Sequence, residues 1–120
     1  LFVGDGHAQQ GDGELPGQGL ETSLDVQFTV DVIRDQSLGQ TRLENADYVM
    51  VMGVGNTLDD GMKSATTGMS RWLASAYGLT PQEIAPVLGT AMQYDIAEVV
   101  DSEYNVVAKV SKDALKRLGK

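Results

Sequence analysis

Apolar and polar residues alternate through "SLDVQFTVDVI" (23–33), placing Leu24, Val26, Phe28, Val30 and Val32 on one side and Asp25, Gln27, Thr29 and Asp31 on the other. A period of two predicts a half-buried strand. The next stretch, "RDQSLGQTRLENAD" (34–47), is polar and turn-prone and reads as an interruption. "YVMVMGVG" (48–55) then runs apolar without a break and contains β-branched residues, which predicts a strand covered on both faces. After Asn56 the period lengthens: Leu58, Met62, Ala65, Met69, Trp72, Leu73 and Ala76 recur at helical spacing as far as Gly78. This predicts one long amphipathic helix, capped by Thr57 or Asn56, with Asp59 and Asp60 in the first turn and Gly78 as its stop.

A second helix is announced by "TPQEIAPVLGTAM", in which Thr80 can cap, Pro81 takes the first helical position and Glu83 can complete a capping box. Pro86 lies near enough to the first turn to be tolerated, with a bend as the expected cost. "NVVAKV" reads as a short strand, and "SKDALKRLGK" as a terminal helix capped by Ser111 with Lys116 and Arg117 near its negative end. This order predicts an α+β fold, with strands completing a β-sandwich-like or mixed sheet, two main helices and a short C-terminal helix. Residues 1–23 form a glycine-rich loop, 24–55 the strands and 56–120 a helical and strand part, together one domain or a segment of a longer protein.

The composition narrows the classes. At 120 residues, 42% hydrophobic and 22% charged, the chain has the size and balance of one globular domain. A net charge of −8 argues against a nucleic-acid partner, which would need clustered Lys and Arg. The longest apolar run is too short to cross a bilayer, so no membrane partner is expected. The absence of cysteine excludes a disulfide framework and suits a reducing, cytoplasmic setting. The chain opens with "LFVG", without methionine or a signal pattern, and an upstream segment is expected to have been removed.

Ionisable chemistry concentrates in "GDGHAQQGDGE" (4–14), where Asp5, Asp12, Glu14 and the only histidine, His7, sit among four glycines. On an extended chain Asp5 with His7, and Asp12 with Glu14, form two same-sided pairs. Brought together, they make a cage of carboxylates and one imidazole suited to zinc or another divalent ion, with an open position for water. The plainer reading is two tight turns rich in Asp and Gly. A phosphate loop is excluded, since "GKS" and "GKT" are absent and the acids would repel phosphate. Elsewhere, Met50, Met52, Met62, Met69, Met92 and Trp72 read as core filling. Asp101 and Glu103 read as a solvated turn, and Ser64 and Ser70 have no positioned base.

"GDGHAQQGDGE" followed by "GQGLET" resembles the acetamidase/formamidase signature GD-x-HA-x-QGDGE with its Gly-rich spacer and the IE or LE pair that follows. The stretch from "ENADYVMVMGVGNTLDD" through "KVSKDAL" is similar to the C-terminal portion of that family, so the resemblance covers nearly the whole chain. It implies metal-dependent hydrolysis of short aliphatic amides, such as formamide or acetamide, to a carboxylate and ammonia. Carried over by position, Asp5, His7, Asp12 and Glu14 are the implied metal ligands. Glu14 is the implied general base, Asp12 and Glu21 are further catalytic candidates, and Gln10 is a polarising or substrate-positioning amide. The implied metal is zinc, with calcium or magnesium as alternatives. The implied partners are a small amide substrate, an upstream half of the same protein or a companion chain, and further copies in a homo-oligomer. The rival expectation is a noncatalytic module with a structural cation site that assembles with another chain.

Overall fold

A computed structural model describes residues 3–119. Along the chain lie β1 (His7–Gln9), a 3₁₀ turn (Asp12–Glu14), β2 (Leu20–Glu21), β3 (Thr41–Glu44) and β4 (Tyr48–Gly55). They are followed by α1 (Leu58–Tyr77), α2 (Pro81–Thr90), β5 (Met92–Glu98), β6 (Tyr104–Ser111) and α3 (Lys112–Arg117). The fold is α+β. Its main sheet has the order β3-β4-β6-β5, β1 and β2 form a separate pair, and every pairing is antiparallel.

The helices form where their end signals stand. The Thr57 hydroxyl accepts from the Asp60 amide at the start of α1, and Gly78 closes the helix in the left-handed region. In α2, Thr80 and Glu83 make a reciprocal capping box and Pro81 takes the first position. The helix continues through Pro86. Ser111 caps α3 by accepting from the Ala114 amide, and Lys116 and Arg117 occupy its last turn. Lys120, the end of the expected terminal helix, lies outside the described residues.

One face of α1 closes over the main sheet. Ala65, Met69, Trp72 and Leu73 meet Val49 and Val51 of β4 and Ala108 and Val110 of β6; Leu79, Ile84, Val87 and Leu115 complete the core. The buried stripe of α1 is Gly61, Ala65, Gly68, Met69, Trp72 and Leu73. Leu58 and Met62, which the periodicity places on the apolar face, are 39% and 41% exposed, and Ala76 of the same stripe is exposed as well. Glycines take the buried positions because helix and strand approach through their backbones. A Cβ at Gly53 would collide with the Gly61 carbonyl oxygen and the Ala65 nitrogen.

Four readings of the strands are corrected. The alternating segment 24–32 is not a strand and all of its residues are exposed, for it has no ladder partner among the described residues. The apparent interruption at 34–47 contains β3, an edge strand paired with β4. β4 is buried on one face, at Val49, Val51 and Gly53, and half-buried at Tyr48, Met50 and Met52 on the other. β5, unread in the sequence, is the opposite edge strand and pairs with β6.

Candidate functional site

The pairing of β1 with β2 sets His7 directly opposite Glu21. Asp5, two residues before His7, joins them, and each of the three offers a ligand atom within 4.8 Å of the others. Glu14 arrives from the 3₁₀ turn, so that His7 Nε2 lies 3.8 Å from Glu14 Oε1 and 3.8 Å from Asp5 Oδ1. The side chains of His7 and Glu14 are 11% and 18% exposed, against 76% for Asp5. The cluster is therefore sheltered on the side of the turn and open to solvent on the side of Asp5.

Two local features fit this arrangement. Asp5 and Glu14 hold left-handed backbone conformations, with φ of 51° and 55°. Such conformations are costly for non-glycine residues and cluster where a site requires them. Gly19, just before β2, has the His7 ring against its backbone, and a Cβ there would overlap the imidazole. The glycine spacer thus makes room for the histidine.

Gln10 first, and the carboxylates after it, tune His7. Its pKa is raised above the ordinary value, first by the hydrogen bond with Gln10 and then, against a desolvation that lowers it, by the charges of Glu14, Asp5 and Glu21. The linked stability is fully present below the unfolded-state value near 6.5 and is lost as the pH rises through the higher folded value. Nearby, Glu98 is held above the usual carboxylate range, first by its hydrogen bond with Asp101, then by desolvation and the Asp101 charge, with Glu14 adding a smaller repulsion. The Asn105 amide opposes this by donating to Glu98 Oε2 at 3.2 Å.

Of the residues expected at the site, Asp5, His7 and Glu21 come together and Glu14 faces the imidazole. Asp12 is exposed and is not one of the three grouped residues. The same-side argument for Asp12 and Glu14 presupposed an extended chain, but the backbone there is a 3₁₀ turn. Gln10 stands behind the ring, its Oε1 2.8 Å from His7 Nδ1. Sequence reasoning missed the support from β5 and the residue just after it, where Ala97 O accepts from Gln10 and Val99 N donates to Gly13 O. Backbone groups leave no residue-type signal that could have revealed it.

One imidazole nitrogen with several carboxylate oxygens is a donor set that a zinc-type divalent ion accepts. Beside it, Val3, Thr22, Leu24, Val26 and Phe28 line, together with Asp5, a groove of about 430 Å³. A larger cleft of about 540 Å³, containing Arg42 and Arg71, lies by β3, at the sheet edge opposite the β5 edge that supports the glycine loop.

No protein-family model matches the chain, and no curated protein matches it either. In three dimensions the chain resembles acetamidase/formamidase structures over 91–95% of its length. The acetamidase of Yersinia enterocolitica superposes with a TM-score of 0.80 at 30% identity, covering 91% of this chain and 33% of that one. A recombinant predicted acetamidase/formamidase from the thermophile Thermoanaerobacter tengcongensis gives 0.76 at 21% identity, covering 94% of this chain and 38% of that one. The acetamidase of Bacillus halodurans gives 0.75 at 21% identity, covering 95% and 39% respectively. The last two likenesses establish the fold alone. The chain spans between a third and two-fifths of the length of these proteins. Among the described residues, no helix is long and apolar enough to cross a membrane.

Proposed function

We propose that this chain carries the metal-binding part of an amidohydrolase site acting on short aliphatic amides of the formamide and acetamide class. The carrying observation is the convergence of His7 with Asp5, Glu21 and Glu14 inside the glycine-rich motif. The likeness to the Yersinia enterocolitica acetamidase at 30% identity supports the same reading.

In this reading Asp5, His7 and Glu21 hold a divalent cation. The imidazole favours zinc over calcium or magnesium, which prefer oxygen ligands. When bound, the ion supplies Lewis-acid polarisation of the amide carbonyl and a water acidic enough to act near neutral pH. Glu14 takes a proton from the attacking water and returns it to the departing nitrogen as the C–O bond forms and the C–N bond breaks. The acid's remaining proton passes to the released ammonia, so the products leave as a carboxylate and ammonium. The apolar groove by Leu24, Val26 and Phe28 receives the acyl side of the substrate. A further wall of the pocket comes from a segment beyond this chain or from a companion polypeptide, since a small-molecule site normally encloses most of its ligand. Asp12 is left out of the ligand set.

Elemental analysis of the natively purified protein, paired with ammonia release from formamide and acetamide, tests this reading. Stoichiometric divalent metal, its loss in His7→Ala, and abolished ammonia release in Glu14→Gln with metal retained are the expected results. A Glu14→Gln variant that releases ammonia at the parental rate removes the assigned base. A parent without divalent metal overturns the cation reading, and a metal-loaded parent that releases no ammonia even when joined to the segment completing its pocket overturns the hydrolytic role.

A further inference from the structure

We infer that Gln10 is a positioning residue that sets the tautomer of His7, and that an irregularity in β5 aims it. β5 pairs with β6 in steady register from Met92↔Val110 to Ile96↔Val106, and the next partners are Glu98 and Asn105. Ala97 is therefore the extra residue of a bulge. Its carbonyl accepts a hydrogen bond of 2.8 Å from Gln10 Nε2, across 87 residues of sequence. Two residues further on, the Val99 amide donates to Gly13 O at 3.0 Å, fastening the same loop from its other side.

The polarity of this relay follows from elementary donor and acceptor rules. A backbone carbonyl only accepts, so the nitrogen of the Gln10 amide faces Ala97 and its oxygen faces His7. An amide oxygen also only accepts, so the proton of a neutral ring sits on His7 Nδ1, which donates to Gln10 Oε1 at 2.8 Å. Nε2 is then left with a bare lone pair, and this is the nitrogen that faces Asp5 and Glu14. Outer partners of this kind orient ligating histidines in general. A glutamine does so without placing one more carboxylate beside Asp5, Glu14 and Glu21, in a chain whose net charge is already −8.

The purpose of this relay rests on the proposed cation role of His7, but the tautomer can be read with no metal present. His7 is the only histidine, so long-range ¹H–¹⁵N spectra of the metal-free protein, at a pH where the ring is neutral, carry one imidazole. The parent is expected to show protonated Nδ1 and bare Nε2. Gln10→Leu is expected to move the ring toward the Nε2–H form, whereas Gln10→Glu gives up the donor to Ala97 O but keeps a hydrogen-bond acceptor for Nδ1 and is expected to retain the parental tautomer. Unchanged β4 and β6 amide signals show that each variant is folded. In zinc titrations Gln10→Leu is expected to weaken binding about 10–100-fold, and Gln10→Glu to restore most of it. A parent in the Nε2–H form, or a Gln10→Leu spectrum identical to the parent's, overturns the inference. A parent that holds the Nδ1–H form yet takes up no zinc overturns the cation reading instead and leaves the Gln10 relay standing.

Discussion

β6, apart from Val107, carries the alternation of apolar and polar residues found in the segment 24–32, and the two meet opposite fates. In β6, Val106, Ala108 and Val110 are 4%, 0% and 0% exposed, with β4 and β5 on either side and α1 packed against the sheet. In the other segment Phe28, Val30 and Val32 are 57%, 69% and 82% exposed. Alternation specifies which side of a strand gains from burial. A neighbouring strand and a covering layer decide whether burial happens. Hydrophobic patterning is therefore a statement about a strand's needs, and β6 has them met within the described chain.

Three substitutions test that contrast, in order of expected size. Leu73→Ala empties a fully buried position beneath the sheet and is expected to cost about 2–5 kcal/mol in denaturant unfolding. Thr80→Ala removes the hydroxyl that accepts from the Glu83 amide, one half of the capping box at the surface, and is expected to cost about 1 kcal/mol in the same assay. Val30→Thr keeps the β-branched shape on an exposed side chain and is expected to stay within about 0.5 kcal/mol of the parent. A loss at Val30 as large as the loss at Leu73 would break the contrast and show that the segment is covered in solution.

The same division explains what could be read from the sequence. The helices were legible because their signals are local: Thr57 and Gly78 bracket α1, and Thr80, Pro81 and Glu83 open α2. β3 and β5 were not, because edge strands such as "TRLE" and "MQYDIAE" bury too little for a clear alternation. At the site, Asp5 and His7 could be paired from their spacing of two. Glu21 ranked lower in the sequence because its place depends on the register of β1 against β2, a contact no local pattern encodes. Asp12 could not be placed beside Glu14 from its spacing, because a 3₁₀ turn replaces the extended chain that the spacing assumes. The role of Gln10 rests on a backbone carbonyl 87 residues away, beyond the reach of any motif.

The hydrogen bonds from Gln10 to Ala97 and from Val99 to Gly13 have a consequence for how the molecule breathes. β4 is laddered on both sides, to β3 and β6, so amides in its middle exchange with deuterated water only when the whole sheet comes apart. The glycine loop is fastened to the end of β5 and to Val99 through these bonds, outside the four-stranded ladder, and it can lift away while the sheet stays intact. Amides of residues 6–14 are thus set to exchange on a faster clock than those of β4, and the cluster around His7 can open to the solvent many times within one lifetime of the folded core.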